Sequence, residues 1–269
     1  MNSFLSKKIF YQKIRIWANV KFILSRFINI YKCDTPRSWG LYFQDSASPQ
    51  MEALVELHNY IMYFLFVILF AVLWIMASIV YNFVDEKFSH IYIIHGTLIE
   101  LIWTITPAII LIVIAFPSFK LLYITDDVTE SDLTVKVEAH QWYWSYEYPE
   151  FLNSEDELIS FDSYMINESE LENGRLRMLE VDNRIILPTL SHARFNISST
   201  DVIHSLACPS LALKCDAYPY KNSQISVFGN REGTYYGQCS EICGIYHSGM
   251  PIVIQSVSLE KYLLYLKTQ

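Results

Sequence analysis

Cys239-Ser-Glu-Ile-Cys243-Gly-Ile-Tyr-His247-Ser-Gly-Met250 puts two thiols, an imidazole and a thioether within twelve residues. Ligand softness sets the metal class. Thiolate with thioether selects copper over magnesium or calcium, and a weak axial Met is the habit of copper electron-transfer sites. Zinc rarely recruits a methionine. A single blue-copper centre takes one Cys and two His, so two Cys fit better as thiolates bridging two coppers. That arrangement needs a second His from elsewhere, and His204 is the best placed, after the strand-like Arg194–Ser199 and before Pro209. A disulfide between Cys239 and Cys243 is the competing reading, but it leaves His247 and Met250 unexplained. The remaining cysteines are Cys33, Cys208 and Cys215. An odd, clustered set is not a disulfide framework, and Cys208 and Cys215 read as small buried side chains.

Upstream of this segment the chain is β-like from about Leu133. Leu133, Val135, Val137 and Ala139 alternate with Thr134, Lys136, Glu138 and His140, a period of two. Further strands are expected over Arg175–Leu187, Arg194–Ser199, Gln224–Phe228 and Pro251–Val257. They are separated by Asn173-Gly174, Pro188, Gly229-Asn230 and Gly233. Short strands at this spacing predict a β-sandwich or barrel.

The N-terminal half is different in kind. Asn59–Val84 has no charged residue over 26 positions, long enough to cross a bilayer. Leu101–Phe119 is a second uncharged run. It contains Pro107 and Pro117, which membrane helices tolerate. The short connection between them predicts a helical hairpin with both chain ends on one side. The formal charge of −8 divides into +7 for residues 1–37 and −15 for the rest. The basic, amphipathic start reads as an interfacial helix or a presequence. An acidic body argues against nucleic acid. It suits a basic protein partner drawn in by long-range steering, or it simply keeps the protein soluble. A positive-inside reading alone would put the basic tail and the β domain in the cytoplasm or matrix.

Two other features carry chemistry. Trp142 to Tyr148 holds five aromatics in seven residues. On a strand they alternate faces, so some are exposed for a partner or an electron path, or else they form core and surface belt. Glu100 is the one acid near the second span. It is either a proton-path residue or an interfacial acid facing headgroups.

The chain resembles the subunit 2 family of mitochondrial cytochrome c oxidases. The resemblance is carried by Phe43-Gln-Asp45, Ile102-Trp-Thr104 with Pro107, His140–Tyr148, Phe161-Asp-Ser-Tyr-Met165, Glu180-Val-Asp-Asn-Arg184, Val202-Ile-His-Ser205, Lys214-Cys-Asp216 and Tyr235–Gly244. It covers essentially residues 38–260. It implies a membrane-anchored all-β protein: a two-helix transmembrane hairpin, then a cupredoxin-like Greek-key β-barrel or sandwich. The expected divisions are an N-terminal extension over 1–37, the hairpin over 38–125 with spans at about 59–84 and 96–119, and the copper domain over 126–269.

The resemblance also implies roles. His204, Cys239, Cys243, His247 and Met250 become ligands of a binuclear CuA centre, with Glu241 giving its backbone carbonyl. The Glu241 carboxylate becomes a ligand of a magnesium ion shared with the catalytic subunit, which fits the hard-ion preference for oxygen. Trp142 becomes the electron-entry residue, and Glu100 the mouth of a proton path. Glu147, Asp162, Asp182 and Asp201 become the acidic face that meets cytochrome c. The implied partners are cytochrome c, catalytic subunit 1, other oxidase subunits and membrane lipid, with no nucleic acid. The implied location is the mitochondrial inner membrane with the copper domain in the intermembrane space, so the basic tail is an exception to the charge rule. The chain would thus be an electron-entry subunit, with oxygen reduced elsewhere.

The chain departs from the family pattern at Leu206 and Cys208, where Trp and Val are usual, at Gly249, where an aromatic is common, and at Tyr218-Pro-Tyr-Lys221. No ligand position is altered. A membrane-anchored copper carrier and a quinol oxidase subunit are the competing readings. The first would need an exposed, exchangeable site, and the second lacks the copper ligands.

Overall fold

The computed structural model describes residues 34–83, 95–126, 131–153 and 155–269. The expected N-terminal extension up to residue 33 and the connection at 84–94 lie outside the described residues. Helix α1 spans Pro49–Phe83 and α2 spans Thr97–Asp126. Ser48 caps α1: its Oγ accepts the Met51 N–H at 3.1 Å and donates to the Leu211 carbonyl at 2.8 Å. Pro49 follows at the first helical position, where no N–H is needed. The same contacts tie the start of α1 to the β domain, as does the Ala47 N–H bonded to the Ser210 carbonyl at 2.8 Å. Both helices are long and apolar enough to span a membrane, with Pro107 and Pro117 inside α2.

Ten strands follow. They are β1 Leu133–His140, β2 Tyr143–Leu152, β3 Leu158–Ser163, β4 Ile185–Pro188, β5 His192–Ser199, β6 His204–Cys208, β7 Leu213–Ala217, β8 Ser223–Phe228, β9 Gly233–Gln238 and β10 Pro251–Val257. Helix α3, Leu259–Thr268, closes the chain. One sheet runs β3-β2-β1-β5-β8, the other β4-β10-β9, and β6-β7 pair as a ribbon. β1 lies parallel to β5 and β10 parallel to β4, while the remaining pairs are antiparallel.

The period of two in the sequence is realised in β1, where Leu133, Val135, Val137 and Ala139 are buried. In β2 the same alternation buries Trp144, Tyr146 and Tyr148 and turns Ser145 and Glu147 outward. These side chains meet Ile185, Leu187, Tyr235, Ile252 and Ile254 of the facing sheet in one core. Cys239, Cys243 and Met250 belong to that same core. These three candidate ligands are therefore part of the packed interior, while His247 is half-buried.

One expected strand is much shorter than its pattern. Of Arg175–Leu187 only the last three residues are strand, in β4. The rest folds around the buried Glu180 carboxylate, which takes Arg184 Nη2 at 2.9 Å, the Tyr236 hydroxyl at 3.1 Å and Arg175 Nη1 at 3.5 Å. A buried carboxylate must be paired, and gathering those partners bends the backbone out of a ladder. The strand β6 carried no alternation in its sequence because all five of its residues are buried.

Candidate metal centre

β9 ends at Gln238 and β10 begins at Pro251, and these strands pair with Pro251 opposite Gln238. The connection between them carries Cys239, Cys243, His247 and Met250. β6 delivers His204 to the same place. It approaches β9 closely because Gly237 has no side chain, and the Ser240 N–H bonds the Ser205 carbonyl at 3.0 Å. That contact sets the register of the two segments and brings His204 opposite Cys239.

The ligand atoms of His204, Cys239 and Cys243 all lie within 4.8 Å of one another. Cys239 Sγ is 4.0 Å from His204 Nδ1 and 3.3 Å from the Glu241 carbonyl. Cys243 Sγ is 3.4 Å from His247 Nδ1 and 3.5 Å from Met250 Sδ. His204 is 0 % exposed and Met250 1 %. All five predicted side-chain ligands and the Glu241 carbonyl therefore converge. The donor set fits a soft metal: thiolates, imidazoles and a thioether, with water largely excluded.

The surrounding groups orient these ligands. His204 Nε2 bonds Asp201 Oδ1 at 2.8 Å. This fixes the tautomer and leaves Nδ1 directed at the sulfurs. Asp201 is itself held by the Gln141 and Val202 N–H groups, each at 2.6 Å. Gln141 Nε2 also donates to the Cys243 carbonyl at 2.8 Å, and Trp144 Nε1 to the Met250 carbonyl at 3.2 Å. Gln141 thus braces both halves of the site from the β1–β2 turn. Sequence reasoning assigned it no role, and its place beside Trp142 was the only signal.

Burial pushes the Cys239 thiol up, but hydrogen bonds with His204, the backbone at Ser205 and Glu241, and His247 outweigh it and bring it down to about 7. Burial and the neighbouring Cys239 charge push Cys243 up to about 12. The metal-free pair therefore keeps Cys243 as a thiol, while Cys239 ionises around neutrality. Metal ligation needs both as thiolates. Copper loading onto the metal-free chain should release at least one proton above about pH 7. The release should be larger below it, because Cys239 is then protonated and so is His204, whose pKa burial pushes down but hydrogen bonds with Cys239 and Asp201 raise above its ordinary value. The apparent affinity should rise with pH throughout, and more steeply below neutrality. Competition titrations between pH 6 and 8.5 check this, and a flat profile would contradict the assigned protons.

Trp142 is half-buried at the β1–β2 turn. Its ring lies over Gly244, where an added Cβ would come within 2.9 Å of Trp142 Cζ2, and the φ of +130° is one that favours glycine. The Tyr246 ring meets it edge-on at 5.3 Å. Of the four acids expected on a docking face, Glu147 pairs with Lys136 at 3.2 Å. Asp162 accepts from Ser145 Oγ at 2.6 Å. Asp182 accepts the Tyr164 N–H at 2.8 Å. Glu147 and Asp162 share the outer face of β2 and β3, whereas Asp201 is committed to His204. Glu100 sits apart from all of these, on the first turn of α2, where its Oε1 accepts the Gly96 N–H at 3.0 Å.

Residues 133–257 match the family described as cytochrome C oxidase subunit II, periplasmic domain, and residues 36–121 match its transmembrane domain. The chain belongs to the cytochrome c oxidase subunit II family. The cytochrome c oxidase subunit 2 of Neurospora crassa is 66% identical over 242 residues, covering 89% of this chain and 97% of that protein. That of Podospora anserina is 66% identical over 238 residues, covering 88% and 95%. Among solved structures, the periplasmic domain of subunit II of cytochrome oxidase from Bradyrhizobium japonicum is 35% identical. It covers 53% of this chain and 96% of that chain, with a TM-score of 0.48.

Proposed function

We propose that His204, Cys239, Cys243, His247, Met250 and the Glu241 carbonyl hold the two coppers of a CuA centre, through which this subunit admits electrons to cytochrome c oxidase. The observation that carries this reading is the pair of buried cysteine sulfurs within 4.8 Å of the His204 imidazole, whose far nitrogen Asp201 fixes. Copper held by these residues would supply a one-electron relay. The chain's own residues keep that relay dry and rigid. Trp144 and Gln141 anchor the loop backbone, and the sandwich core packs beneath it.

Cytochrome c is the electron donor in this reading. Trp142 is the contact point: its ring rests on Gly244, the residue bonded to Cys243, so the path to the site is short. Glu147, Asp162 and Asp182 supply negative charge around a basic partner, and Asp201 contributes while holding His204. The Glu241 carboxylate takes a magnesium ion at the boundary with the catalytic subunit, and Glu100 stands at a proton-path entrance. The divisions at residues 37 and 125 separate an extension, a hairpin in the mitochondrial inner membrane and a copper domain in the intermembrane space.

Trp142→Ala tests the reading in the assembled oxidase. The second-order rate of electron transfer from reduced cytochrome c should fall about 30-fold, the scale of an interface hot spot of about 2 kcal/mol. The copper resonance signal should remain. Stopped-flow reduction measures the rate, and an unchanged value removes Trp142 as the entry point.

A further inference from the structure

Residues 34–48 form a loop clasped at both ends by the β domain. Arg231 Nη2 bonds Asp34 Oδ1 at 2.6 Å and the Asp45 carbonyl at 3.2 Å, and its Nε bonds the Ser46 carbonyl at 3.3 Å. Ser210 Oγ donates to Gln44 Oε1 at 2.6 Å. Between these clasps the chain leaves the domain and runs down beside α1. The Tyr42 hydroxyl donates to Asn59 Oδ1, and the Phe43 ring meets His58 edge-on at 4.8 Å. The tip is a tight turn, with the Gly40 N–H on the Arg37 carbonyl at 3.1 Å.

The depth of this loop is set by α1. The helix has 35 residues, about 52 Å of rise, against a hydrocarbon core of about 30 Å. Its first turns carry Glu52, Glu56 and His58, and the uncharged run begins at Asn59. The stretch Pro49–His58 therefore stands above the hydrocarbon. The uncharged run of 26 residues, about 39 Å, exceeds the core by about 9 Å, so Asn59, about 15 Å along the helix from Pro49, lies between the hydrocarbon edge and the outer headgroup layer. The loop that touches Asn59 and His58 lies at headgroup level. There it turns Trp39 and Leu41 outward, 98 % and 101 % exposed. Single exposed apolar residues are ordinary on a soluble surface. Two that are almost wholly exposed, on a braced loop at this depth, form an apolar tip where Trp is favoured by the bilayer interface.

We propose that the Arg37–Phe43 loop is a second membrane contact of this chain, an interfacial anchor whose Trp39 and Leu41 enter the phospholipid headgroup layer beside α1. The clasp by Arg231 holds the loop in its bound shape beforehand, which reduces the ordering cost of insertion. Anchor and clasp together tie the tilt of the β domain to the membrane plane.

The test uses the assembled oxidase in phosphatidylcholine nanodiscs, with the photo-crosslinker p-benzoylphenylalanine in place of Trp39. Its side chain is so exposed that the change disturbs no packing. After illumination, the intact mass of this chain should increase by one phospholipid. A crosslink to another oxidase subunit overturns the proposal by showing a protein occupant. The absence of any adduct overturns it by showing a loop in water. None of these outcomes depends on the copper assignment, which the resonance signal of the same sample reports separately.

Discussion

Replacing Cys239 by Ser should abolish the paired-copper signal, while Cys208→Ser should leave it intact. Cys239 Sγ faces His204 Nδ1, the Glu241 carbonyl and the Cys243 thiol, so it stands between the two halves of the ligand set. A serine oxygen is hard, and its hydroxyl is not ionised near neutrality, so it neither bridges nor favours copper. Copper content should fall from two per chain to one or none. The seven-line resonance pattern of a delocalised pair should give way to the four lines of a single copper, or to nothing. Cys208 is different in every respect. It is wholly buried in the core, burial pushes its thiol up to about 12, and its Sγ lies 3.9 Å from the Tyr236 carbonyl. Cys208→Ser should cost about 1–3 kcal/mol of stability through a buried hydroxyl and leave the copper count unchanged. Loss of the signal in both variants, or in neither, would overturn the ligand assignment.

The convergence of the candidate ligand loop was legible in the sequence because four of the proposed ligands are local. Spacing alone placed Cys239, Cys243, His247 and Met250 in one turn of chain. The membrane hairpin was legible for a similar reason, since an uncharged run is a local property. The parity of β2 was also readable, and it separates the buried Trp144, Tyr146 and Tyr148 from Tyr143, Ser145 and Glu147. Trp142 shares the buried parity and is half-buried because it lies in the turn before the strand begins. What was not legible came from contacts across the fold. Asp201 looked like one more surface acid. Its bonds to His204, three residues on, and to the Gln141 N–H, sixty residues earlier, exist only once β1 and β5 lie side by side. The extended pattern over Arg175–Leu187 was overridden by the partners that Glu180 gathers. The loop at Trp39 had no periodicity to read, and its depth appears only through Tyr42 and Asn59.

Gly237→Ala should be the most damaging single methyl in the β domain. Gly237 faces Ile252 across the β9–β10 ladder. A Cβ there would lie 1.9 Å from the Ala207 carbonyl oxygen, 2.9 Å from its carbon and 3.2 Å from Cys208 Cα. These are backbone atoms, so no rotamer change relieves the clash and β6 must move away from β9. β6 is itself held by its ladder to β7 and by the Ser240–Ser205 bond. Overpacking that forces a backbone shift should cost about 3–5 kcal/mol, a fall of roughly 10–15 °C in Tm for a chain of this size. The same shift carries His204 away from Cys239, so copper affinity should fall as well. Gly229→Ala is the matched control. Its Cβ would meet only Ser256 Oγ at 3.3 Å, the tip of a side chain that can rotate, and it should cost less than about 1 kcal/mol. Thermal unfolding of the two variants, followed by near-ultraviolet circular dichroism, separates them. Equal melting temperatures would mean that β6 and β9 are not in the close contact that brings His204 to the thiolates.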